Sequence, residues 1–168
     1  MTNNSDHMKS FEEAKALHHK GVEGDKKAVI NAHEKLLKLR EAEPDNALIE
    51  AYYGSTLVLL SRDAVKILER ADKAQEGLDV LNRAVSRDPN HKEIRMIRAN
   101  VCLRLPDSYF HCANTVIEDF IFLLDRYQVN ADYLTQNQVR EILQNLSAAY
   151  HNAGKPDEAN AVLQRLYP

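Results

Sequence analysis

Apolar residues recur along this chain at intervals of three and four over almost its whole length, which is the period of an α-helix and not of a strand. Phe11, Ala14 and Leu17 follow Ser10, which makes a capping-box pattern with Glu13, so the spacing predicts a first helix to about Lys20, ended by Gly21 and Gly24. Asp25 opens a second, with Ala28, Ala32, Leu36 and Leu39 on one face, closed by Glu43-Pro44-Asp45-Asn46. Asn46 caps a third through Tyr53, Leu57 and Leu60, after which Ser61-Arg62-Asp63 reads as a break and a fresh N-cap. The fourth is long. Ile67, Ala71, Ala74, Leu78, Leu81 and Val85 hold one phase until Asp88-Pro89-Asn90.

Asn90 with Glu93 caps a fifth helix carrying Ile94, Ile97, Val101 and Leu105, and Pro106 ends it. A sixth begins near Asp107 with Phe110, Ala113, Ile117, Phe120 and Leu124 as its stripe. Ile121, Phe122 and Leu123 make its second half apolar nearly all round, which implies burial on more than one side. Residues 128–134 lack a period. Thr135 and Gln138 then form a capping box for a seventh helix bearing Val139, Ile142, Leu146 and Tyr150. After the turn Asn152-Ala153-Gly154-Lys155-Pro156, an eighth runs to about Tyr167 with Ala159, Leu163 and Leu166 inward. Residues 1–9 read as a disordered lead-in, since Met1 to Met8 lack the apolar core of a signal peptide. Residues 10–168 then form one domain of four hairpins, about 10–44, 46–89, 90–128 and 135–168.

Composition supports this all-α reading. An apolar content of 44% and a charged content of 28% are globular values, and five Gly, five Pro and no Trp favour long helices over many tight turns. The net charge of −3 supplies no field that would draw the chain to nucleic acid or anionic lipid, and no run approaches a membrane span. Cys102 and Cys112 are the only cysteines, and their spacing suggests neither a disulfide framework nor a zinc site; reduced thiols in a cytoplasmic protein are the simpler account.

The hairpins repeat. Pro44 and Pro89 stand 45 residues apart, Gly54 and Ala99 share that offset, and Ser147 holds the comparable place 48 residues later. Self-similarity at a fixed period means units that stack on one another. Leu143, Leu146, Ser147, Tyr150, Gly154, Ala159 and Leu163 follow the apolar, small, aromatic, turn-glycine, small, apolar order of a tetratricopeptide (TPR) repeat, and the chain resembles that family over about residues 10–168. Tyr53, Gly54, Leu57, Leu81, Ala84 and Pro89 fit the same order with roughly eleven residues inserted mid-hairpin. A period near 45 is also that of HEAT-type repeats. The resemblance implies four antiparallel pairs, about eight helices, stacked as a right-handed superhelix.

It also implies a kind of function. TPR domains hold a peptide or partner protein on a concave wall drawn from the first helix of each pair. The residues matching that wall are Tyr52, Ser55, Leu59, Met96, Asn100, Arg104, Gln144, Ala148 and His151. A lysine, asparagine and arginine clamp for chaperone tails is not reproduced, Asn100 and Arg104 being a partial echo. Arg98 sits where a large apolar residue is expected, and Glu118 or Asp119 is its natural ion partner. A homodimer through the apolar sixth helix is the alternative role. Enzyme chemistry finds no support in the residues: there is no HExxH, no Gly-rich phosphate loop and no nucleophile elbow, so no cofactor or metal is expected and catalysis is not the expected function, an enzyme with an unrecognised site being the less favoured alternative. The projecting part of the second hairpin, residues 61–75, is a further surface for a partner.

Overall fold

In a computed structural model, residues 3–166 are described, and all their regular structure is helical. The described helices are α1 (Asn3–Val22), α2 (Lys26–Ala42), α3 (Ala47–Asp63), α4 (Ile67–Arg87), α5 (Lys92–Arg104), α6 (Asp107–Phe110), α7 (Ala113–Val129), α8 (Gln136–Asn152) and α9 (Pro156–Leu166). They fall into two compact units, one ending at Ile97 and one starting at Arg98, with α5 running through the boundary. No described helix is long and apolar enough to cross a membrane.

In the first unit α1 pairs with α2 and α3 with α4, while α2 and α1 both pack on α3. Short polar side chains start the helices as their positions suggest. Asp25 Oδ1 accepts the Ala28 N–H at 3.0 Å, and Asn46 Oδ1 accepts those of Leu48 and Ile49 at 3.1 and 3.2 Å, satisfying donors that have no partner within the helix. Gly24 ends the α1 turn at φ +114°, a conformation side chains disfavour. Between the hairpins, Ala14, Ala32, Leu36, Leu39, Ile49, Tyr53, Leu57 and Val80 make one buried cluster. Glu50 is buried at its edge, gripped by Arg40 at 2.6 and 3.1 Å and by Arg83 at 3.4 Å.

The tightest contact is between backbones. A Cβ on Gly77 would stand 2.6 Å from the Gly54 carbonyl oxygen and 2.6 Å from Val58 Cγ2, and one on Gly54 would stand 2.9 Å from the Gly77 carbonyl oxygen. α3 and α4 therefore cross at Gly54 and Gly77 with no side chain between them.

Three expectations about the first unit need correction. α1 begins at Asn3, seven residues before Ser10, and His7 Nδ1 lies 3.5 Å from Glu43 Oε1, so residues 3–9 are a tethered helix and not a disordered lead-in; Met1 and Thr2 lie outside the described residues. α3 runs on through Asp63 because the Ser61 hydroxyl turns back to the Val58 carbonyl at 2.6 Å, leaving the break to residues 64–66. The α4 stripe is buried only from Ala74 onward, whereas Val65, Ile67 and Leu68 at the hairpin tip are 91, 80 and 80% exposed.

In the second unit α7 packs on α8 and α8 on α9. Thr135 and Gln138 form the predicted capping box, Gly154 takes φ +72° in the α8 to α9 turn, and Ser147 Oγ donates to the Ala159 carbonyl at 3.0 Å. The expected sixth helix is two. His111 adopts φ 53°, ψ 43° and stops α6, and Asp107 Oδ1 accepts the Ala113 N–H at 2.7 Å to start α7. Phe120, Leu123 and Leu124 are buried, as the apolar run implied. Leu163 is 38% exposed and Val162 takes the inward place; the Leu166 side chain and Tyr167 lie outside the described residues.

Arg98 joins α5 to α7. Its Nε and Nη2 donate to the two carboxylate oxygens of Asp119, both at 2.7 Å, and Nη2 also reaches Glu118 at 3.2 Å. Arg98 is 6% exposed and Asp119 is fully buried, so each charge depends on the other.

Two stability measurements follow. Gly77→Ala gains about 1 kcal/mol of helix propensity but meets a carbonyl oxygen that cannot retreat, so urea denaturation should show a net loss of about 1–3 kcal/mol; a gain contradicts the backbone contact. Arg98→Ala strands Asp119 and should cost about 3–5 kcal/mol, whereas Arg98→Met combined with Asp119→Leu should recover most of that loss.

Candidate functional site

Of the residues proposed to line a groove, Tyr52 and Ser55 lie in a side-chain cluster of the first unit and Ala148 at a pocket of the second. In the first, Tyr52 and Ser55 lie one helical turn apart on α3 and face α1. The Tyr52 ring takes edge contacts from Phe11 at 5.6 Å and His18 at 5.2 Å, and Lys15 Nζ lies 4.6 Å from the Phe11 ring centre. His18 Nε2 shares a 2.7 Å hydrogen bond with Ser55 Oγ. The Tyr52 hydroxyl donates to the Glu93 carboxylate of α5. Burial first, and then the Glu93 carboxylate, push the Tyr52 hydroxyl well above its usual range, so it stays protonated and serves as a donor.

This cluster is already satisfied by its own members. Ser55 is buried, and Leu59 is buried beside Gly21, so neither offers a surface. Met96 is half-buried, one turn beyond Glu93 on α5. Glu93 itself reads in the sequence as a capping-box partner, but it serves Tyr52, while His91 Nδ1 accepts the Ile94 N–H at 3.4 Å. Phe11, Lys15 and His18 carry no sequence signal beyond their helical phase. What finds them is their spacing of four and three on one face of α1, opposite Tyr52.

The second unit holds an open site. The last turn of α5, Asp107 and the start of α7 meet α8 around a pocket of about 260 Å³. Leu103, Leu105 and Val116 supply apolar wall. Asn145, Ala148, Ala149 and Asn152 supply the α8 side, at the i, i+3, i+4 and i+7 spacing of one helix face. The Asn145 and Asn152 amides make no hydrogen bond with any described residue, so each has donors and an acceptor to offer. Asp107 is the one charged group in the lining and is held in place by the Ala113 N–H.

Of the residues matched to a groove, Ala148 lines this pocket. Asn100, Arg104, Gln144 and His151 are exposed on α5 and α8 outside its lining. Asn145 and Asn152 were missed because the positions taken from the TPR resemblance lie one residue to their side. No described group of three or more His, Cys, Asp or Glu side chains is arranged to hold a metal ion. The exposed tip of Val65, Ile67 and Leu68 is a separate apolar surface in the first unit.

Tyr52→Phe keeps the ring contacts and removes only the donor to Glu93, a charged acceptor at a half-buried site. It should lower stability by about 1–2 kcal/mol in urea denaturation, with no change in helix content by circular dichroism. No protein-family model matches the chain, and no relative is found among curated proteins.

Proposed function

We propose that the chain is a non-catalytic, TPR-like interaction module that takes a short segment of a partner protein on the α5, α7 and α8 face of its second unit. The observation that carries this reading is the α8 pocket, in which two unengaged asparagine amides and Asp107 share the lining with Leu103, Leu105 and Val116. An asparagine amide matches a peptide bond, donating to its carbonyl and accepting from its N–H, so a pair two turns apart can hold an extended backbone while one side chain enters between them. The volume agrees. About 260 Å³ lies below the roughly 300–1,000 Å³ typical of pockets for drug-sized ligands and suits a single large apolar side chain. Asp107 at the rim favours a partner that brings N–H donors or a positive charge.

The ordered hairpins, the Ser147 to Ala159 contact and the turn at Gly154 support the TPR-like part of the reading. A homo-oligomer through α7 has less to stand on: Phe120, Leu123 and Leu124 are buried, Ile121 and Phe122 half-buried, and Val129 is the large apolar residue that α7 leaves exposed.

Selection from a displayed library of random peptides tests the proposal. Wild-type protein should enrich peptides sharing one large apolar residue, and Ala148→Arg, which fills the pocket from an exposed helix position, should weaken them at least about tenfold without lowering the melting temperature. Peptides that bind the variant equally well, or no enrichment at all, would overturn it.

A further inference from the structure

The two cysteines, ten residues apart in sequence and on different helices, meet in the second unit. Arg98 and Cys102 are one turn apart on one face of α5, and Cys112 and Asp119 are two turns apart on one face of α7. The paired 2.7 Å bonds from Arg98 to Asp119 turn those two faces toward each other. Both cysteines lie on the resulting seam, both are 4% exposed, and each thiol is the strongest influence on the other's acidity. Cys102 also lines the α8 pocket, as does Ala113, the residue that follows Cys112.

We propose that Cys102 and Cys112 form a reversible dithiol site that reacts with peroxides to give an intramolecular disulfide. Cys112 is the attacking sulfur. It occupies the N-cap of the 17-residue α7, where the helix dipole favours a thiolate, and its own side chain makes no capping bond. The neighbouring Cys102 thiol lowers the Cys112 thiol below its ordinary value, against burial and the Asp107 charge, which raise it, and with a smaller pull from the Arg98 charge, while Cys112 and burial raise that of Cys102.

The Cys112 thiolate attacks one peroxide oxygen, the S–O bond forms as the O–O bond breaks, and the hydroxide that leaves takes up a proton as water. The Cys102 sulfur then attacks the Cys112 sulfenic sulfur, forming the S–S bond and expelling hydroxide, which takes the Cys102 thiol proton as a second water. The two thiols lose two electrons and hydrogen peroxide gains them. A dithiol reductant reverses the change by exchange. The bond would tie the last turn of α5 to the start of α7, at the wall of the pocket.

The test uses the full chain, reduced, freed of reductant and treated with hydrogen peroxide. Trypsin separates the cysteines, since Arg98, Arg104 and Arg126 place Cys102 and Cys112 in different peptides. The expected product is a monomer lighter by two hydrogens, with those peptides joined and both thiols closed to alkylation until a dithiol is added. Cys102→Ser should stop at a Cys112 sulfenic acid that a 1,3-dicarbonyl reagent traps, and Cys112→Ser should slow thiol loss by more than about tenfold. Thiols that stay open to alkylation in the wild-type protein, or a disulfide found only between molecules, would overturn the proposal, and either result needs no variant to fold.

Discussion

A charge removed from water must find an opposite charge, and the Arg98 to Asp119 pair is where the second unit meets that demand. Burying either group alone would cost several kcal/mol, so α5 and α7 can adopt only the rotation that brings the guanidinium onto the carboxylate. That rotation fixes what else lies on the seam. It leaves Cys102 and Cys112 on one seam and Leu103 and Val116 in the pocket wall. The first unit uses the same physics differently. Glu50 of α3 is held by Arg40 of α2 and Arg83 of α4, so one carboxylate joins both hairpins, and the Arg40 guanidinium lies 4.2 Å from the Tyr53 ring centre.

Much of the fold was legible because its signals are local. Asp25, Asn46 and Thr135 cap helices where a short polar side chain precedes an apolar period, and a cap needs nothing beyond three or four residues. Arg98 was legible for a different reason: an arginine in an apolar phase has to be paired, and the carboxylates one helix away were Glu118 and Asp119. The failures are places where tertiary contacts override a local pattern. Ser61 reads as a cap but back-bonds within α3, and Asp107 reads as the start of a long helix but caps Ala113 after a left-handed turn at His111. The phase of Ile67 is helical without any neighbour to bury it.

The candidate site was less legible than the fold. Ala148 was reached through its place in the TPR pattern, whereas Asn145 and Asn152 belong to a pocket whose other wall, Leu103 to Val116, comes from a break in the chain that the pattern does not contain. The Tyr52 cluster shows the opposite case. Tyr52 and Ser55, read as groove residues, lie on the face of α3 turned to α1, where partners from α1 and α5 use up their polar groups. The cysteines carry no sequence signal, because a separation of ten residues is neither one helix face nor a metal motif, and only the folded seam makes them neighbours.

Helix pairs are normally cushioned by side chains, which let one helix roll or slide a little on the other. Where α3 crosses α4, Gly54 and Gly77 remove that cushion, and carbonyl oxygens bear directly on the opposite backbone. The hairpin therefore behaves as a stiff lever with its fulcrum at the glycines. Its long arm ends in the exposed Val65, Ile67 and Leu68, and Tyr52 stands two residues beyond the fulcrum. A load applied at the tip would be felt at the Tyr52 hydroxyl as a small rotation rather than absorbed along the way.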